Sequence, residues 1–165
     1  NSSQITDGAA WVLLATEEAV KKHGLTPKGR IVDSQWAGLD PAQMGLGPVH
    51  AATPILKRQG LAINDLDAWE INEAFAAQVL GCLAAWKSDD YCKTELGLDG
   101  ALGEMNEAIL NAEGGAIALG HPVGASGTRI VLHLLHALKR TGKKRGMAAI
   151  CIGGGLGGAM LVEAL

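Results

Sequence analysis

The stretch from residue 126 to 164 constrains the fold more than any other part of the chain. It reads helix, strand, glycine-rich turn, strand. Ile130, Val131, Leu134, Leu135 and Leu138 share one face at a period of 3.6 residues, so 126–140 is an amphipathic helix. Ser126 suits its N-cap, and Lys139 and Arg140 complement the dipole at its other end. Residues 147–152 and 159–164 are continuous apolar runs too short for helices, joined by Gly153 to Gly158. They read as strands able to close as a hairpin. A helix alternating with strands of this kind calls for an α/β sheet with both faces covered.

The rest of the chain continues the alternation. Residues 10–15 are an apolar run expected to form a buried strand, and 17–23 a short helix closed by Gly24. Strands are expected at 30–37 and 68–71, and helices at 48–59 and 73–86. Residues 87–106 are charged and follow no single period, which reads as a surface insertion, partly helical, with Cys92 exposed on it. The opening Asn1 to Gly8 reads as a loop in mid-course, so the chain is expected to be a piece of something longer.

Three chemistry-bearing groups stand at element ends. The run Gly114-Gly115-Ala116-Ile117-Ala118-Leu119-Gly120-His121-Pro122-Val123-Gly124-Ala125-Ser126-Gly127 sets His121 in a glycine-rich loop between a strand-like stretch and the long helix. A histidine there can move protons near neutral pH. Cys151 ends an apolar strand and runs into Gly153, Gly154 and Gly155, whose backbone N–H groups can face an oxyanion. Asn72 ends another strand, placed either to cap the following helix or to hold a water or substrate oxygen. His23, His50, His133 and His136 read as ordinary helix residues, and Cys82 as helix packing.

Several functions are excluded. A net charge of −3 argues against non-specific nucleic-acid binding, which needs a basic face. Three scattered cysteines cannot all pair, lack a CxxC spacing for metal, and fit a reducing compartment. No apolar run reaches the ~18–20 residues that a membrane span needs. Gly153 to Gly158 matches GxGxxG, but that motif needs a helix after it and Met160-Leu161-Val162 reads as a strand, so a dinucleotide site is not expected.

Taken together these blocks resemble the C-terminal half of the thiolases. Asn72-Glu73-Ala74-Phe75-Ala76 is similar to the family's NEAF block, Gly120-His121-Pro122 with Gly124, Ser126 and Gly127 to its GHPxGxSG block, and Cys151-Ile152-Gly153-Gly154-Gly155 to its CxGGG block. The resemblance implies residues 1–165 as a C-terminal thiolase domain without its N-terminal half. That half-fold is a five-stranded mixed sheet with helices on both faces. It implies acyl transfer between coenzyme A thioesters, by thiolysis of a 3-ketoacyl-CoA or Claisen condensation of acetyl-CoA. His121 would activate a nucleophilic cysteine lying in the absent half. Asn72 would hold a water in one oxyanion site, Cys151 would shuttle a proton to and from the acetyl carbon, and the Gly153 N–H would serve the second oxyanion hole. Ser3 and Phe75 would lie near the pantetheine arm. No metal and no cofactor are expected, coenzyme A thioesters being substrates. The expected partners are acyl-CoA, acetyl-CoA and CoA, the N-terminal half, and further copies in a homodimer or homotetramer. The expected place is the cytoplasm of a bacterium, or a mitochondrial or peroxisomal matrix in a eukaryote. Two readings compete: a ketoacyl synthase-type condensing enzyme, against which the second cysteine speaks, and a stand-alone acyl-CoA-binding or scaffold half-domain without catalysis.

Overall fold

A computed structural model describes all 165 residues. Four strands form a mixed sheet: β1 (Gly29–Gly38), β2 (Ala68–Ile71), β3 (Arg145–Ile152) and β4 (Leu156–Ala164), in the order β1-β4-β3-β2. β3 and β4 close as the expected hairpin, with Cys151 opposite Gly157. β1 adds antiparallel to β4, and β2 runs parallel to β3.

The helices are α1 (Glu17–His23), α2 (Gly47–Gln59), α3 (Ala76–Lys87), α4 (Asp89–Thr94), α5 (Ala116–Leu119) and α6 (Ser126–Thr141). Thr16 caps α1, accepting from the Ala19 N–H, and a left-handed Gly24 ends it. Alternation along β3 divides the core. Met147 and Ala149 pack with Val49, Ile55, Cys82 and Trp86 of α2 and α3, whereas Ala148 packs with Ile130, Leu134 and Leu138 of α6. The indole of Trp86 donates to the Thr53 hydroxyl at 3.0 Å, satisfying two buried polar groups at once.

Several expectations need correction. The sheet has four strands, not five. Beyond β2 there is a single parallel bridge from Trp69 to Leu110, too short to count as a strand. Residues 10–15 form no strand, and Trp11, Leu13 and Leu14 are exposed. A strand exists only where a neighbour takes its hydrogen bonds, and this run has none in the sheet. The helix expected from residue 73 begins at Ala76, because Phe75 is extended and bridges to Ser2. The stretch before His121 is a short helical turn, α5, not a strand. Cys92 is buried, donating to the carbonyls of Ala85 and Trp86, so α4 packs its inner side onto the end of α3.

Candidate active site

The site lies at the carboxyl end of the parallel pair β2 and β3. Asn72 follows β2 directly, and its N–H donates to the Ala149 carbonyl at 2.9 Å. Cys151 stands two residues further along β3. Parallel pairing therefore delivers Asn72 and Cys151 to one edge of the sheet, where α/β folds place their ligands.

Asn72 does not cap α3. The cap position is Phe75, without a side-chain capping bond. The amide of Asn72 is instead 1 % exposed. Its Nδ2 lies 3.4 Å from Nε2 of His121, and its Oδ1 has no partner. An unsatisfied buried oxygen costs ~1–3 kcal/mol. An acceptor so placed is open to a water or a ligand group.

His121 is fixed from several sides. Its N–H donates to the hydroxyl of Thr6 at 3.2 Å, and Gly120 before it has φ +90°. A Cβ at Gly120 would stand 2.9 Å from Cγ2 of Thr6, so this turn needs glycine both for its dihedral and for its space. Nδ1 of the ring sits 2.7 Å from the hydroxyl of Ser126. Burial, and then the Arg129 guanidinium, push the imidazole below its ordinary value, which favours the neutral ring. Burial also pushes the Cys151 thiol up, keeping it protonated. Burial thus disfavours the charged form of both groups.

Two residues that sequence reasoning passed over join the blocks. Glu73 accepts from Nδ2 of Asn111 at 2.9 Å and from the N–H of Ile117 at 3.1 Å. Asn111, with φ 44°, accepts from the N–H of Ile71 and donates to its carbonyl, both at 2.9 Å. The loop after β2 and the loop before His121 are locked by this pair. The identity of Glu73 within its block was the signal, but nothing in the spacing named Asn111. His133 is not an idle helix residue either. Its two ring nitrogens lie 3.0 Å from the carboxylates of Glu70 and Glu113, and Arg140 also pairs with Glu113. Burial raises the buried Glu70 carboxyl, while Arg140 lowers that of Glu113.

Ser3 and Phe75 are also brought to this edge. The hydroxyl of Ser3 donates to the Ala74 carbonyl at 3.1 Å, and Ser2 forms a bridge with Phe75, whose ring is half exposed. Gly153 lies exposed at the start of the β3–β4 turn, with no atom within 4 Å of a Cβ placed there. The thiol of Cys151 is hydrogen bonded to neither Asn72 nor His121. His23 and His136 lie outside the site, and His50 contacts the Tyr91 hydroxyl at 2.9 Å.

Comparison with known proteins identifies the family of the chain. The domain described as "Thiolase, C-terminal domain" matches residues 14–164. The chain is 47% identical over 163 residues to the beta-ketoadipyl-CoA thiolase of Pseudomonas aeruginosa, covering 99% of this chain and 37% of that protein. It is 45% identical to the human mitochondrial 3-ketoacyl-CoA thiolase, again covering 99% of this chain and 37% of the relative. Among solved structures, the acetyl-CoA acetyltransferase of Bacillus anthracis superposes with a TM-score of 0.83 at 41% identity, covering 100% of this chain and 38% of that one. The human mitochondrial 3-ketoacyl-CoA thiolase in complex with CoA superposes at 0.76 with 44% identity, covering 92% and 34%. The chain therefore spans little more than a third of the length of these relatives. The order of its three blocks, its sheet and the match over residues 14–164 agree: the chain belongs to the thiolase family, as a C-terminal domain.

Proposed function

We propose that this chain supplies the acid–base half of a thiolase site, which transfers acyl groups between coenzyme A thioesters. The observation that carries the reading is the contact between Asn72 and His121 at the sheet edge where Cys151 stands in the last residues of β3. His121, neutral and held by its Nδ1, takes the proton of a nucleophilic cysteine contributed by an N-terminal thiolase half. That thiolate attacks the 3-keto carbon of the substrate. The carbon–carbon bond then breaks, and the released acetyl carbon takes a proton from the Cys151 thiol. CoA thiol finally gives its proton to the Cys151 thiolate and takes the acyl group, and the nucleophilic cysteine leaves with the proton that His121 held. In the condensing direction Cys151 removes that proton, and each developing oxyanion needs donors aimed at it. Asn72 with His121 would serve one such site and the Gly153 N–H the other, while Ser3 and Phe75 would flank the pantetheine arm.

The CoA complex of the human mitochondrial relative supports CoA as a partner. We further propose that the working protein is a homodimer or homotetramer, resident in a bacterial cytoplasm or in a mitochondrial or peroxisomal matrix. The two apolar clusters on alternate residues of β3 support a sheet covered by helices on both faces.

The test is thiolysis of acetoacetyl-CoA by this chain joined to a thiolase N-terminal half. The joined protein is expected to turn over, and His121→Ala and Cys151→Ala to lower kcat by about 10²–10⁴, the usual worth of a general acid or base. The chain alone is expected to show no turnover. Turnover by the chain alone, or variants as active as the parent, would overturn the assignment.

A further inference from the structure

We propose that Ser126 is a positioning residue that fixes the tautomer of His121, holding hydrogen on Nδ1 and leaving Nε2 free to accept a proton. The inference rests on the role given to His121 above, but it is read out without substrate or a second half.

Ser126 opens α6, yet it does not cap it. Ala125 holds the cap position and no side-chain capping bond is made. The Ser126 hydroxyl is wholly buried and has two neighbours, the His121 Nδ1 at 2.7 Å and the Pro122 carbonyl at 3.1 Å. The same carbonyl receives the N–H groups of Ala125 and Ser126 at 2.8 and 2.9 Å. A carbonyl oxygen can only accept. Both contacts of the Ser126 oxygen are hydrogen bonds only when its single hydrogen goes to Pro122 and its oxygen accepts from the ring. His121 must then carry its hydrogen on Nδ1. On the other side of the ring the Asn72 amide nitrogen, a donor, faces Nε2 at 3.4 Å. Asn72, His121, Ser126 and Pro122 form one directed chain of hydrogen bonds whose end at a backbone carbonyl sets its sense.

The sense matters chemically. A ring with its hydrogen on Nε2 would present a donor to the site and could not act there as a base. With Nδ1 occupied, any proton taken up arrives at Nε2, the nitrogen beside Asn72. The same nitrogen, once protonated, is a donor for a thioester oxygen. One hydroxyl buried behind the ring thus allows a single nitrogen to perform both tasks in order.

The experiment is nitrogen–proton correlation NMR on the chain labelled with ¹⁵N at histidine, above the titration range of the ring. The expected wild-type result for His121 is a protonated Nδ1 and an unprotonated Nε2. Ser126→Ala is expected to transfer the hydrogen to Nε2, and Ser126→Thr, which keeps a hydroxyl, to restore the wild-type pattern. His136 and His23, remote from Ser126, are the internal controls for a change confined to this ring. A wild-type ring protonated on Nε2 overturns the proposal, and so does a folded Ser126→Ala protein whose tautomer is unchanged. Should Ser126→Ala fail to fold, Ser126→Gly, which also lacks the hydroxyl, is read in its place with the same expectation. Loss of the thiolysis reading with an Nδ1-protonated ring would leave the tautomer assignment standing.

Discussion

Gly157→Ala tests how the hairpin that carries Cys151 is seated on the domain. Gly157 lies opposite Cys151 in the β3–β4 register. A Cβ there would stand 2.6 Å from the Gly47 Cα, and closer still to the Gly47 carbonyl. Ordinary contact begins near 3.4 Å, so the first turn of α2 must retreat by roughly 1 Å. No side chain can rotate to relieve the clash, since backbone meets backbone. The approach is reciprocal, because a Cβ on Gly47 would come within 2.9 Å of the Gly157 Cα. α2 buries Val49, Ala51, Ala52, Ile55 and Leu56, and moving it loosens that packing as well. Overpacking costs ~1–3 kcal/mol where side chains adjust, so a loss of about 3 kcal/mol is expected here. With a denaturant slope of ~2 kcal/mol/M for a small domain, the urea midpoint should fall by about 1.5 M. Gly153→Ala is the control, since its Cβ meets nothing within 4 Å. Its change should stay within ~0.5 kcal/mol. Equal midpoints for the two variants would refute the idea that close backbone approach, rather than turn flexibility, demands glycine at 157.

The remaining expectations concern titration. Burial and Arg129 hold His121 below its ordinary value of 6.5, so the fold favours the neutral ring. That stability is complete well above pH 6.5 and falls as the pH drops through it, the unfolded chain taking its proton first. Arg129→Gln should raise the His121 midpoint in an NMR titration, and an unmoved midpoint would discard the electrostatic part of the argument. Burial pushes Cys82 up to about 12 from 9.0, so at pH 8 it carries about a thousandfold less thiolate than an unshifted thiol. Iodoacetamide labelling followed by mass spectrometry should find it protected in the folded chain and reactive in urea, and rapid native labelling would contradict this. The Glu163 carboxylate is held down by hydrogen bonds from Arg145 and Arg30, across three adjacent strands. Its contribution exists above the ordinary value of 4.5 and is lost as the pH falls through the lower folded value. Glu163→Gln should therefore narrow the gap between unfolding midpoints at pH 7 and pH 3, and an unchanged gap would remove Glu163 from the acid-sensitive set.

Local periodicity made much of the fold legible. α6 announced itself through Ile130, Leu134 and Leu138, all buried, and α2 through a proline near its first turn and a left-handed Gly60 after its end. The hairpin of β3 and β4 followed from two apolar runs around glycines. Partnership was not legible. Residues 10–15 are as apolar as β3, but a strand is defined by who pairs with it, and hydropathy carries no record of the partner. Cys92 went wrong for a related reason. Its charged neighbours Asp89, Asp90 and Lys93 face out from α4, and a six-residue helix is too short for its inward side to show as a period.

The site divides along the same line. Asn72, His121 and Cys151 could be singled out as candidates because those side chains stood at element ends, two of them among glycines. The hydrogen bonds that orient them were not visible, because each joins residues distant in sequence or makes a local choice between rivals. Ser126 shows the second case. A serine at the start of a helix has two outlets for its hydroxyl, the free N–H groups of the first turn or a neighbour outside it. Sequence favours the cap by frequency. Here the turn from Pro122 to Ala125 places the Pro122 carbonyl under the Ser126 N–H, so that donor is already satisfied, and His121 five residues back lies within reach of the hydroxyl. The loop geometry, not the helix, decides what the serine does. The stretch from Gly120 to Gly127 thus works as a single device: a left-handed glycine turns the chain, a histidine presents one nitrogen to the site, and a buried hydroxyl behind the ring determines which nitrogen it is.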